Sequence, residues 1–188
     1  MRGQSATLAF LATVLGLTTG QTFSPGRACN ADGDTGSIFD YSYPLIDGDT
    51  AIDFETYRGK LLMVQEPGAT PEEILNGVTY VRPGNGFTPN FPLFRKNQEV
   101  WSKIDVNGEN EEAMYTWLKS VCPPTNPDFF AFDAYSYGPN PNMNDVRWNF
   151  EKFLIDFDGK PYMRFDATTF PDTSVITDAI DELLAGRK

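Results

Sequence analysis

The sequence predicts one α/β domain in which helices pack on a small sheet. Segments typical of strands and helices follow one another in the order strand, helix, helix, hairpin, helix. The chain has 188 residues, enough for one hydrophobic core and too few for two. It contains no internal repeat, coiled-coil heptad or low-complexity tract. The sequence therefore predicts a single hydrophobic core.

Three strands are predicted in the first part of the domain, where structure is expected to begin near Ser37. Alternation over Ile38–Tyr43 is typical of a strand, Asp47-Gly48 of a hairpin turn, and Ala51–Phe54 of the returning strand. The continuous apolar run Lys60–Val64 predicts a buried strand, because a strand covered on both faces is apolar on both sides.

Two helices follow these strands. The first has Thr70 as its N-cap, Pro71 at the first helical position, Glu73 three residues after the cap, and Gly77 as its stop. The second covers Glu111–Val121, where four apolar side chains recur at helical spacing. These four are Met114, Trp117, Leu118 and Val121.

A hairpin and a last helix complete the predicted domain. The aromatic, β-prone run Trp148–Phe157 predicts a strand, Asp158-Gly159 its turn, and Pro161–Phe165 the returning strand. The helix is capped near Asp172 and is expected to bury apolar side chains at spacings of three and four. Those side chains are Ile176, Ile180, Leu183 and Leu184.

Residues 1–20 predict a secretory signal peptide. Arg2 gives a weakly basic start, Ala6–Leu17 is apolar, and Thr18-Thr19-Gly20 offers small residues for cleavage. A membrane anchor is the alternative, but the apolar run is shorter than the about 20 residues that cross a bilayer. Residues 21–36 predict a flexible leader, and residues 37–188 the domain. The mature protein is therefore expected to be secreted and extracellular.

The chain is strongly acidic, with 26 Asp and Glu against 15 Lys and Arg and a net charge of −11. Such a surface repels phosphate groups, so neither nucleic acid nor an anionic membrane is an expected partner. A role of the charge in solubility alone is the simpler explanation. Histidine is absent, which excludes Ser-His-Asp, Cys-His and His-based metal chemistry, and no metal site is expected.

Cys29 and Cys122 are the only cysteines, and the sequence leaves open whether they pair or react. Cys122 follows a predicted helix, whose negative C-terminal end raises the pKa of a thiol when catalysis needs it lowered. Cys29 has only Arg27 as a near basic neighbour in the leader. If the two pair, they close a long loop worth about 4 to 5 kcal/mol.

Eight stretches of sequence, taken in order, cover most of the chain after residue 36. They are Gly36–Tyr41, Ile46–Gly48, Tyr57–Lys60, Gln65–Gly68, Tyr80–Gly84 with Phe87–Phe91, Asp105–Gly108, Cys122–Thr125 and Arg147–Leu154. The last of them is the most diagnostic. Together they resemble the glutathione peroxidases, in particular the secreted, plasma-type branch of that family.

The resemblance implies a thioredoxin-like fold and the reduction of hydrogen peroxide or organic hydroperoxides. Glutathione is the implied co-substrate, with no other cofactor. In this family a selenocysteine or cysteine attacks the peroxide as its anion, because the neutral form is a poor nucleophile. A Gln, a Trp and an Asn surround that group. Trp148 and Asn149 match the Trp and the Asn and are the retained catalytic candidates.

The segment that would carry the nucleophile is missing from this chain. The strand Leu61–Val64 runs directly into Gln65–Gly68, without the nucleophile loop, the following helix, the next strand and the catalytic Gln. The expected fold is a thioredoxin-like sheet with flanking helices that lacks the first crossover helix and an inner strand. Its remaining strand faces an unpaired edge, so we expect lower stability than in the complete family fold.

Arg82 and Arg164 match arginines that hold the glutathione carboxylates in relatives. Surface salt bridges are the alternative role in so acidic a protein. Phe165 stands where relatives often carry a second Arg, a departure from the glutathione-binding pattern. The loop Gly84–Phe91 resembles one that supports tetramer contacts in secreted relatives. Glutathione, hydroperoxides and further copies of the chain are therefore the expected partners.

Three functions are compatible with the sequence. The first is a shortened form of a secreted peroxidase, from exon skipping or an incomplete gene model, that is inactive without nucleophile and Gln. The second is a non-catalytic interaction subunit that associates with full-length peroxidase. The third is a residual peroxidase that works through Cys122.

Overall fold

The frame of the fold is a sheet of four strands, seen in a computed structural model that describes residues 23–46, 50–65, 71–81, 84–89, 93, 106–126 and 142–187. The described strands are β1 (Gly26–Ala28), β2 (Ser42–Pro44), β3 (Ala51–Asp53), β4 (Leu62–Gln65), β5 (Lys152–Ile155) and β6 (Pro161–Phe165). The sheet has the order β1-β6-β5-β4, and every neighbouring pair is antiparallel. Strands β2 and β3 form a separate hairpin.

The described helices lie between and after these strands. They are α1 (Pro71–Asn76), α2 (Ala113–Val121), α3 (Ser174–Ala185), the 3-10 helices Ile38–Asp40 and Phe54–Tyr57, and the π-helical turn Gly77–Val81. Helix α1 begins at Pro71 and ends before Gly77, both as predicted, although the chain continues as a π turn. The predicted N-cap Thr70 lies outside the described residues. Among the helices just named, none is both long and apolar enough to cross a membrane.

The core consists of two apolar clusters, one on each face of the sheet. Side chains alternate between the faces of a strand, so Phe153 and Ile155 of β5 face α2, whereas Leu154 between them faces α3. Leu118 of α2 and Phe165 of β6 are fully buried in these two clusters. The sheet therefore needs helices on both faces, as in the predicted architecture.

The helical faces follow the predicted periodicity, with one exception. In α2, Met114 and Leu118 are buried and the other two predicted side chains are half-buried. In α3, Ile176 is buried, but Leu184 is 52% exposed and its predicted burial was wrong. Leu184 follows Leu183 by one residue, which turns its side chain about 100° around the helix axis. Leu183, in contrast, packs against the cluster on the α3 face.

The strand predicted over Ile38–Tyr43 is wrong in its first half, where a 3-10 helix forms instead. The Ser37 hydroxyl accepts a hydrogen bond from the Phe39 N–H, and the Asp40 carboxylate accepts one from the Ser37 N–H. This reciprocal capping fixes a helical turn and prevails over the strand-like alternation. The chain then extends as β2 and pairs with β3, which confirms the hairpin. Its predicted turn Asp47-Gly48 lies outside the described residues.

The second hairpin is confirmed, but its first strand is shorter than the predicted run Trp148–Phe157. Only Lys152–Ile155 is a strand, and Trp148 to Glu151 form a turn. The hairpin turn requires Gly159, because its φ is 82° and an added Cβ would overlap the Phe39 ring. The turn thereby packs against the start of the domain.

Structure begins before Ser37, in a region predicted to be a flexible leader. Strand β1 pairs with β6, which places Arg27 opposite Arg164. A disulfide joins Cys29 to Cys122 at the end of α2, and the Asn30 N–H donates to the Val121 carbonyl beside it. This strand was not predicted from the sequence, because it is only three residues long and has no periodic pattern of apolar residues. The predicted signal peptide lies outside the described residues.

Removal of the disulfide by Cys29→Ser is expected to destabilise the fold by about 4 to 5 kcal/mol, because the bond closes a loop with a sequence separation of 93. Urea unfolding followed by circular dichroism measures this difference. In reducing buffer the wild-type chain and the variant should unfold at nearly the same urea concentration. An equal gap in both buffers would mean that the substitution acts through something other than the disulfide.

Candidate functional site

Trp148 and Asn149, the two retained catalytic candidates, lie on an exposed turn at the carboxyl end of β4. Trp148 is 52% exposed, and Asn149 is exposed as well. The position follows from strand pairing, since Gln65 at the end of β4 lies opposite Lys152 at the start of β5. The turn that precedes β5 must therefore project beyond the last residue of β4.

The turn is held in an unfavourable backbone conformation. Phe150 has a φ of 73°, in the left-handed region that a bulky residue rarely adopts, at a cost on the order of 1 to 3 kcal/mol. Two hydrogen bonds hold it there. The Lys152 ammonium donates to the Phe150 carbonyl at 2.6 Å, and the Arg147 N–H donates to the Glu151 carboxylate at 2.9 Å. Trp148 and Asn149 are thus presented by a turn that its neighbours fix on both sides.

Beneath the turn lies a buried ion pair between Glu151 and Arg164. The Arg164 guanidinium is 0% exposed and donates to one carboxylate oxygen of Glu151 at 2.5 and 2.8 Å. It also donates to the backbone carbonyls of Asn144 and Asp145 at 2.9 Å, and to that of Cys122 at 3.4 Å. Arg164 therefore links β6 to the turn before β5, to the end of α2 and to the loop that leads into the turn.

This geometry bears on both roles predicted for Arg164. The ion pair predicted as the alternative exists, but it lies in the interior and the expected surface location was wrong. A contact with a glutathione carboxylate would require Arg164 to leave Glu151, so that role stays a prediction. Arg82, the other predicted glutathione ligand, lies outside the described residues.

A second charged network fixes the loop that leads into the turn. The Lys119 ammonium of α2 donates to the carboxylates of Glu111 and Asp145 and to the Asn107 amide oxygen. Asp145 joins the two networks, because its side chain accepts from Lys119 while its backbone carbonyl accepts from Arg164. The described residues just before the turn are consequently anchored through Asp145 to α2 and to β6.

Two titratable groups at the turn are perturbed by burial. Burial raises the pKa of Glu151, while the Arg164 guanidinium and the Arg147 N–H oppose that rise. Burial also lowers the pKa of Lys152, whose ammonium faces the Phe150 carbonyl. Neither residue is predicted from the sequence to support the turn. The spacing of four between Arg147 and Glu151, inside the most diagnostic stretch, was the available signal.

The cysteines supply no thiol to this site. Cys29 and Cys122 are bonded to each other, which confirms pairing over reaction, and the sequence contains no third cysteine. Cys122 is also fully buried. In the described part of the chain, no cluster of three or more Cys, Asp or Glu side chains is arranged to hold a metal ion.

Comparison with known proteins identifies relatives that align with most of the chain. It is 37% identical over 177 residues to glutathione peroxidase 3 of Bos taurus, with 73% of this chain and 74% of that protein covered. It is 33% identical over 188 residues to glutathione peroxidase 6 of Mus musculus, with 77% and 80% covered. Glutathione peroxidase 3 of Caenorhabditis elegans is 44% identical over 122 residues, and the match spans 51% of that relative. No protein-family model matches the chain.

A solved structure gives the same likeness at the level of the fold. The crystal structure of Trgpx in apo form superposes with a TM-score of 0.50 at 25% sequence identity. The superposition covers 80% of this chain and 97% of the other. The thioredoxin-like α/β fold expected from the sequence is thereby confirmed.

Replacement of Arg164 by methionine should destabilise the chain by about 3 to 5 kcal/mol, because the Glu151 carboxylate would remain buried without its counter-charge. Urea unfolding measures the loss. The double variant Arg164→Met with Glu151→Leu should lose less than the sum of the two single variants. Glu55→Gln, which breaks the exposed Arg58–Glu55 pair, is the control and should change stability little. Additive losses would contradict the pairing.

Proposed function

The chain belongs to the glutathione peroxidase family. From that premise we propose that it has the fold of the family but does not reduce hydroperoxides. The reaction named by its relatives needs a sulfur or selenium anion that attacks the peroxide and is then reduced by two glutathione thiols. The observation that carries the proposal is the state of the two cysteines. Both are bonded to each other in one disulfide, so neither offers a free thiol.

The extent of the alignments supports a missing internal segment. The alignment with the Bos taurus relative is 177 positions long but includes only 73% of the 188 residues of this chain. About forty positions of the alignment therefore have no counterpart in this chain. The sequence places such a gap between Val64 and Gln65, at the carboxyl end of β4. In the proposal, Trp148 and Asn149 border the place that the nucleophile would occupy, and they serve no reacting atom.

We propose that glutathione and hydroperoxides bind the complete family fold, and that this chain binds them with lower affinity. Arg164 supports this, because its guanidinium is bound to Glu151, whereas Arg82 lies outside the described residues. We also propose that the protein is secreted. The signal-peptide pattern of residues 1–20 and the disulfide support this, because such bonds persist in oxidising compartments.

A non-catalytic subunit that associates with full-length peroxidase is the second candidate function. It is supported by the exposed apolar side chains of Tyr80 and Val81, which are 74% and 79% exposed. Two residues separate them from the segment Gly84–Phe91 that resembles a tetramer contact. A peroxidase that works through Cys122 is contradicted for the oxidised chain, because that sulfur is bonded to Cys29.

The purified chain is expected to consume hydroperoxide with glutathione no faster than buffer, because it offers no thiolate. The coupled assay with glutathione reductase and NADPH measures the rate, and glutathione peroxidase 3 of Bos taurus is the positive control. Trp148→Phe and Asn149→Ala should leave the background rate unchanged. A thiol reagent should find no free thiol before reduction of the protein.

Saturable turnover that falls with Trp148→Phe would overturn the proposal. Turnover that appears only after reduction of the disulfide, and is lost in Cys122→Ser, would instead restore the thiol hypothesis. The candidate as an interaction subunit is tested separately, by mixing the chain with the bovine enzyme. Unchanged activity and unchanged native mass would contradict it.

A further inference from the structure

The segment Ser24–Asn30, which we call the strap, contains β1 and lies along the side of β6 that faces away from β5. Its backbone is bonded to the domain near both ends. The Ser24 N–H donates to the Thr125 carbonyl at 2.9 Å, and the Asn30 N–H donates to the Val121 carbonyl at 2.7 Å. Between these two points β1 pairs with β6. The strap is therefore held largely through its backbone.

The strap contributes little side-chain burial. None of its residues is fully buried, and Pro25, Ala28 and Asn30 are exposed. Its closest packing is at Gly26, where an added Cβ would lie 2.8 Å from the Phe165 ring, but a glycine has no side chain to bury. Fixing the backbone of one residue costs about as much free energy as one hydrogen bond contributes, or more. The noncovalent contacts of the strap therefore do little more than offset the cost of ordering it.

The covalent restraint on the strap is the disulfide between Cys29 and Cys122. Cys122 is 0% exposed and belongs to the core cluster on the α2 face, whereas Cys29 is half-buried and packs against that cluster. The bond thus joins a weakly held segment to a fully buried position. While it is intact, β1 cannot move far from β6, and this proximity favours their pairing.

The chain can bend directly after the strap. Gly33 has a φ of 78°, and an added Cβ there would meet no atom within 4 Å, so its surroundings leave room for movement. The next residue is fixed. The Trp117 indole N–H donates to the Asp34 carboxylate at 2.9 Å, and the Lys160 ammonium donates to the Asp34 carbonyl at 2.7 Å. The strap can therefore turn about Gly33 while the domain keeps its hold on Asp34.

We propose that the disulfide is a redox latch, which holds the strap on β6 when closed and releases it about Gly33 when a thiol reductant opens the bond. Release leaves β6 as an edge of the sheet and uncovers the Phe165 ring, against which Gly26 packs. An oxidising compartment keeps the latch closed. The position of the strap then follows the thiol–disulfide balance around the protein.

Opening the latch consumes two thiol groups of the reductant. The first thiolate attacks the Cys29 sulfur, because Cys29 is the less buried member of the pair, and the Cys122 sulfur leaves and takes up a proton. The second thiolate attacks the reductant's sulfur in the mixed disulfide. The Cys29 sulfur then leaves and is protonated, and the two reductant sulfurs end as a disulfide. Two electrons pass to the protein, so the reductant is oxidised as the latch opens.

The latch is independent of the proposed loss of peroxidase activity, and its test measures no turnover. Hydrogen exchange with mass spectrometry compares the oxidised full chain with the same chain in dithiothreitol, and a thiol reagent verifies that the bond has opened. On reduction the amides of the strap should exchange about a hundredfold faster, the factor that corresponds to loss of a typical disulfide restraint. The amides of β5 should stay protected, because the core around them does not depend on the strap.

Two variants distinguish a latch from a general loss of stability. Cys29→Ser should show fast exchange in the strap without reductant and no further response to it. Leu118→Ala removes a fully buried side chain of α2 but keeps the disulfide, so it should weaken the whole domain without releasing the strap first. Trypsin gives an independent readout. Cleavage after Arg27 in β1 should require reduction, whereas cleavage after the exposed Arg58 should not.

Three results would overturn the proposal. The first is a disulfide that dithiothreitol leaves closed in the folded chain, and the second is a strap that stays protected after the bond has opened. The third is an equal loss of protection in the strap and in β5, which would mean that the bond stabilises the domain as a whole.

Discussion

The burial of the Arg164 guanidinium is the constraint on which the rest of the described structure depends. A charge removed from water is tolerated only if other groups replace its solvation, and here Glu151 and three backbone carbonyls do so. Those partners belong to the turn before β5, to the end of α2 and to the loop that leads into that turn. A single side chain thereby fixes where Cys122 and the Trp148 turn lie relative to the sheet.

The interactions that stabilise the sheet become fewer from β6 toward β4. Near β1 and β6 the chain is secured by the disulfide, by the Arg164 ion pair and by the capped turn at Ser37. At β4 none of these restraints acts, and Met63 is left 40% exposed beside a fully covered β5. Local stability follows the density of buried contacts, so β4 is the part of the sheet with least support. The turn with Trp148 is held by the hydrogen bond between the Arg147 N–H and the Glu151 carboxylate, and it lies beyond the last residue of β4.

Local pattern was sufficient for the hairpins and helices, because their signals lie within one segment. The hairpin pattern predicted Ala51–Phe54 as a returning strand, and the spacing of Met114 and Leu118 predicted a helix, and both elements are observed. Local pattern gave a wrong prediction where a side chain forms a hydrogen bond with the backbone. At Ser37 such a cap stabilises a 3-10 helix in place of the predicted strand. Nor could spacing show that Arg164 is buried, since its partner is set by strand register. In the candidate site, resemblance located Trp148, whereas chemistry alone would not have singled it out.

The stretch that resembles the family most closely contains residues of two kinds. Trp148 and Asn149 are exposed and have a catalytic meaning only if a nucleophile lies beside them. Glu151, Phe153 and Leu154 are buried, and any chain that folds around this ion pair would require them. Sequence similarity over such a stretch therefore establishes the fold, because the buried residues alone account for much of that similarity. Activity depends on an anion that neither kind of residue supplies, since selenium or sulfur chemistry requires a chalcogen free of other bonds.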